Sequence, residues 1–114
     1  MRRRTQRVST DTLTRFALDT PHRFQRIAVE SLIGFNWKVS SVNHRDGVHV
    51  IVMRMISDSS IGTAVYPNGS FARHKGPTVK WSWSRARDAA TATATIADPY
   101  VVDILLAQEE LEKV

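Results

Sequence analysis

The stretch FNWKVSSVNHRDGVHVIVMRMI, residues 35–56, decides the fold. Two runs rich in Val, Ile, Met and Trp flank Asp46-Gly47. Asp-Gly between apolar runs marks a two-residue hairpin, because a type I′ turn needs positive φ at both central residues. The reading predicts strands over 35–43 and 48–56. Register follows from the turn: Arg45 opposite Val48, His44 opposite His49, Val42 opposite Ile51, Val39 opposite Arg54 and Trp37 opposite Ile56. One face then carries Phe35, Trp37, Val39, Val48, Val50, Val52 and Ile56, the expected core face. The other carries Val42, Ile51, Met53 and Met55 among Lys38, Ser40, His44 and His49. Such a face is too apolar to stay wet. The last helix of the chain, or a second subunit, is expected to cover it.

On the N-terminal side, Thr20-Pro21 reads as an N-cap followed by a proline at the first helical position. Phe24, Ile27, Ala28, Ser31 and Leu32 then recur at helical spacing, and Gly34 suits the residue past the end. A helix over 21–33 follows. Residues 1–19 are expected to be a basic, flexible arm with at most a short helical turn around Leu13, Phe16 and Ala17. Residues 20–114 then form a single α+β domain.

On the C-terminal side, Ser57-Asp58-Ser59-Ser60 is a connector. A second hairpin is predicted over 61–66 and 70–75 around Pro67-Asn68-Gly69, where Pro, Asn and Gly suit a type I turn ending in a left-handed residue. Gly76-Pro77 breaks it. Residues 78–84 alternate, with Val79, Trp81 and Trp83 against Lys80, Ser82 and Ser84, and read as extended. The Ala-Thr alternation over 90–95 fits an extended edge or a weak helix, and extended is the preferred reading. Asp98-Pro99 opens a last helix to residue 112. Val101, Ile104, Leu105 and Leu111 line one of its faces, which Val102 and Leu106 widen. The expected class is α+β: an N-terminal helix, four to five antiparallel strands in hairpins and a C-terminal helix, as a two-layer sandwich.

Bulk properties bound the function. A chain of 114 residues with 42% apolar content holds one cored domain. It has no cysteine, which excludes disulfides, thiolate zinc sites and Cys nucleophiles. No apolar run reaches the roughly 18–20 residues needed to span a bilayer. Arg2-Arg3-Arg4 is followed by polar residues rather than a signal-like apolar run. A cytoplasmic protein without membrane partners is expected.

Charge is laid out in blocks. Arg2, Arg3, Arg4 and Arg7 open a basic N-terminus, and residues 59–87 carry Arg73, Lys75, Lys80, Arg85 and Arg87 with no acid. From Asp88 onward the sign reverses, with Asp98, Asp103, Glu109, Glu110 and Glu112. No phosphate-cradling glycine loop, nucleophile elbow or zinc-helix motif is present. The expectation is a non-enzymatic protein with no cofactor and no metal. His44 and His49, directly opposed, offer two zinc ligands where a site needs three or four.

Two functions fit. The first is a protein-interaction module that binds a partner or itself as a homo-oligomer, through Val42, Ile51, Met53, Met55, Val102 and Leu106. A small Arg-rich chain without catalytic motifs matches the style of bacterial or bacteriophage accessory proteins that bind a host or assembly partner. The alternative is a nucleic-acid binder. It would use the basic arm and segment 66–87, where Tyr66, Phe71, Trp81 and Trp83 alternate with Arg73, Lys75, Lys80, Arg85 and Arg87.

Overall fold

The computed structural model describes residues 10–97, with side chains from 11 to 93. Two helices, α1 (Thr10–Leu18) and α2 (Arg23–Gly34), precede strands β1 (Trp37–Arg45), β2 (Val48–Met55), β3 (Ile61–Val65) and β4 (His74–Lys75). Helix α3 (Trp83–Ala97) follows. The strands form one antiparallel sheet in sequence order. This is an α+β fold, as the sequence predicts. The last predicted helix, with Val102 and Leu106, lies outside the described residues, as do Arg2, Arg3, Arg4 and Arg7.

The hairpin at 46–47 forms as read. Asp46 and Gly47 both take positive φ, 52° and 79°, the type I′ pair. The register agrees from Arg45 to Ser41 and then departs. A bulge between Val39 and Ser41 puts Val39 opposite Met53 and Trp37 opposite Met55, not Arg54 and Ile56. An extra residue in one strand reverses which way the side chains beyond it point. Trp37 and Val39 therefore share a face with Val42, Ile51, Met53 and Met55, while Val48, Val50 and Val52 face the other way.

This corrects the expected interface. Ile51 and Met53 are 0% exposed and pack with Val39, Trp37 and Val65 beneath Ala28, Val29 and Leu32 of α2 and Ala17 of α1. Val42 and Met55 pack against the same cluster. The apolar face is covered by the chain's own first two helices, with no need of a second subunit. Residues 10–18, expected as part of the arm, are the packed helix α1. Asp11 in its first turn and Arg15 in its last complement the helix dipole, and Leu13, Ala17 and Leu18 meet the core.

Helix α2 is rotated from its predicted face. Its buried stripe is Gln25, Ala28, Val29 and Leu32, while Ile27 and Ser31 are exposed. Gln25 makes this rotation favourable because its amide is fully used. Its Oε1 accepts from Thr20 Oγ1 at 2.5 Å, and its Nε2 donates to the carbonyls of His49 at 2.7 Å and Val65 at 2.9 Å. Buried amides are tolerated where each polar atom is paired. The N-cap is His22, with Thr20 and Pro21 outside the helix. The left-handed residue after the helix is Asn36, φ 69°, rather than Gly34. Asparagine takes that conformation more readily than other side chains.

The second face of the sheet is covered too. Val50, Val52, Ala64 and Tyr66 pack with Val79 and with Ala86 and Ala89 of α3. Residues 90–95, read as extended, thus lie within helix α3, as do Trp83 and Ser84.

Candidate nucleic-acid interface

The site is built by the chain's passage over this second face. Val79 seats on Gly62, where an added Cβ would lie 2.6 Å from Val79 Cγ2; only glycine admits that approach. Arg54 fixes the same passage, its guanidinium donating to the carbonyls of Ser59, Gly76 and Pro77 at 2.8–3.1 Å. Residues 78–82 form no ladder. Ser82 then caps α3: its Oγ accepts from the Arg85 N–H at 3.2 Å, and its carbonyl accepts from Ala86 N at 3.1 Å. A serine bonding the third helical N–H is the usual N-cap geometry.

Between this helix start and the sheet lies an open cleft of about 360 Å³. Ala64, Tyr66, Ala72 and His74 line the sheet side, and Lys80, Trp81, Ser82 and Arg85 line the crossing segment. Tyr66 is only 4% exposed. Its hydroxyl accepts from the Ser82 N–H at 3.3 Å, and the Arg85 guanidinium lies 4.7 Å from its ring centre. Tyr66 therefore positions Arg85 rather than offering a free stacking face. Trp81 is half-buried and meets Trp83 edge-on, ring centres 4.9 Å apart at 85°. Arg45 of the first hairpin reaches over Trp83, 5.8 Å from its centre. Lys80 and Arg85 are exposed. Among the described residues the ion pair formed is Arg26–Glu30, at 3.9 Å, so neither cation of the cleft is neutralised there.

The structure divides the basic segment. Arg85 and Lys80 meet at the cleft. Lys75 pairs opposite Ile61, which packs on the helical side of the sheet, and opposed residues share a face. Arg73 follows the same alternation, and its guanidinium lies 5.9 Å from the Trp37 ring centre. Arg73 and Lys75 are thus turned away from the cleft. Arg87 is exposed on α3 but does not line it. Phe71 is exposed and also lies outside the lining. Arg45, the last residue of β1, reaches Trp83 without lining the cleft, a contact that its sequence position does not signal.

The opposed histidines stand as read, His44 and His49 with ring centres 4.6 Å apart. A third imidazole, His22, meets His49 edge-on at 5.6 Å. Nothing in its sequence position after Thr20-Pro21 signals this. Among the described residues no group of three His, Asp or Glu side chains is placed to hold a metal ion. Burial lowers the pKa of both His22 and His49 below the usual range, and His49 is lowered further by His44 and His22. Asp58 is also held below the usual carboxylate range, by the hydroxyl and N–H of Ser60, which bond its carboxylate at 2.6 and 3.1 Å. That is a connector turn. His74 enters the cleft without a carboxylate among the lining residues, so no acid–base pair is assembled there.

No protein-family model matches the chain, and no curated protein or solved structure matches it significantly.

Proposed function

We propose that this protein is a non-enzymatic binder of single-stranded nucleic acid, and that the cleft at the start of α3 is where the strand lies. The observation that carries the reading is the convergence of Trp81, Lys80 and Arg85 around one open cleft, with Arg85 held on the Tyr66 ring. Single-strand binders combine aromatic faces for bases with cations that follow the backbone. The α3 N-terminus adds its positive dipole end beside the cleft. The basic residues Arg2, Arg3, Arg4 and Arg7 add sequence-independent attraction for phosphates.

Fluorescence polarisation with a labelled single-stranded oligonucleotide, at low and at physiological salt, tests this. Trp81→Ala is expected to weaken binding by roughly 5- to 150-fold, the equivalent of about 1–3 kcal/mol per stacked base. Lys80→Glu with Arg85→Glu is expected to weaken binding and to flatten its salt dependence, by roughly 0.7 in log–log slope for each phosphate no longer neutralised. Arg73→Glu with Lys75→Glu, on the opposite side, is expected to cost less. Absence of any low-salt binding sinks the reading, and an equal loss from both pairs moves the site off the cleft.

A second reading, an interaction module for a protein partner, is favoured by one other feature. Phe35 is 76% and Ile56 61% exposed, both at the open end of the first hairpin, where Ile56 N bonds the Asn36 carbonyl at 2.9 Å. Light scattering of the chain against its Phe35→Ser, Ile56→Ser variant tests self-association through that end. The same mass for both excludes it.

A further inference from the structure

We infer that the imidazoles of His22 and His49 form a proton-sensitive latch that holds the start of α2 against the tip of the first hairpin. The geometry is specific. The backbone N–H of His49 donates to His22 Nε2 at 3.3 Å, so this nitrogen must carry its lone pair when the bond is made. A proton on Nε2 turns an acceptor into a donor facing a donor. His49 Nδ1 is shielded from solvent and has no hydrogen-bond partner. A proton there buries an unpaired N–H and a charge, which is costly. His44 lies 4.6 Å from His49 and His22 5.6 Å, and both oppose a charge on His49.

No ion pair with a carboxylate offsets these charges among the described residues. On α2 the neighbouring ionic group is Arg23, and at the hairpin tip Arg45 at the end of β1 and Asp46 in the turn; all three are exposed. Across the adjoining gap of about 370 Å³, α3 presents Ala90, Thr91 and Thr93, none ionisable. A weaker interaction with the Gly47 backbone favours the protonated forms and does not outweigh burial.

The sign follows. Free histidine titrates near 6.5, and both His22 and His49 are pushed below that value in the folded chain. Below about pH 6.5 the unfolded chain therefore binds more protons than the folded one, and stability falls with pH. The contribution is complete above about pH 6.5 and is lost as pH drops through the lowered values.

Thermal unfolding of the full chain at about pH 7.5 and about pH 5, with and without His22→Gln plus His49→Gln, reads this out. Glutamine at 22 can still accept the His49 N–H but cannot titrate in this range. The wild-type chain should lose melting temperature at the lower pH, and the double variant should lose less than half as much. An equal loss in both overturns the latch. Titration of the imidazole resonances by NMR in the wild-type chain decides independently, even if the variant fails to fold. Midpoints for His22 and His49 below about 6.5 support the latch, and midpoints at or above it overturn it.

Discussion

Gln25 shows how one polar side chain can set the orientation of a helix. Its amide ties Thr20 to α2 and α2 to both β2 and β3. Gln25→Leu keeps the volume but leaves the Thr20 hydroxyl and the two carbonyls without their partner. A stranded buried polar group costs about 1–3 kcal/mol, and each kcal/mol is worth about 4–8 °C in a domain of this size. A drop in melting temperature of at least several degrees is expected in a calorimetric scan, and an unchanged value contradicts the role. None of this was legible in the sequence. A helical wheel sorts residues by apolarity, so it placed Ile27 inside and left Gln25 out; the structure reverses both. The satisfied amide depends on carbonyls 24 and 40 residues away, a distance that pattern reading does not reach.

Among the elements, those governed by local chemistry were legible. The hairpin at 46–47 follows from two residues that accept positive φ, and the turn at 67–69 from Pro, Asn and Gly. The bulge at Ser40–Ser41 was not, because either serine can be the extra residue and only the packing of Trp37 against the helices selects one. Helix α3 was hidden for a different reason. The alternation of Trp81, Trp83 and the serines imitates a strand, and it distracts from Ser82 as the residue that stops extended chain and starts a helix. Ser82→Ala should therefore cost roughly 1 kcal/mol, and Ser82→Asp should retain most of the cap. Chemical denaturation with far-UV circular dichroism measures both. If alanine and aspartate behave alike, the hydroxyl is not what begins α3. The candidate site inherits this. Tyr66, Lys80, Trp81 and Arg85 were named from the sequence, but the partition of the basic segment into a cleft set and an opposite-face set needed the strand register and the cap.

At the scale of the molecule, a four-stranded sheet is covered on one side by α1 and α2 and on the other by the crossing segment and α3. The sequence yielded the class but neither sheet face whole, because the bulge moves Trp37 and Val39 to the face of Ile51 and Met53 and leaves Phe35 and Ile56 exposed; the coverage of the apolar face was not readable because residues 10–18 carry too little apolar pattern to stand out from the basic stretch around them. The turn that joins β3 to β4 gives this closed arrangement one further property. Asn68-Gly69 is the chain's sole Asn-Gly pair, a dipeptide that ages when the glycine nitrogen attacks the asparagine side-chain carbonyl carbon. Here the Gly69 N–H is bound to the Tyr66 carbonyl at 2.8 Å, and Asn68 Oδ1 accepts from the N–H and hydroxyl of Ser70 at 3.1 and 2.7 Å. Both reacting groups are engaged in the turn's own hydrogen bonds. Deamidation at Asn68, followed by peptide-mapping mass spectrometry during warm storage, should run faster in denaturant than in native buffer, and equal rates would count against the protection. The accumulated modification then records how long each molecule has spent unfolded, a chemical clock that the native turn stops.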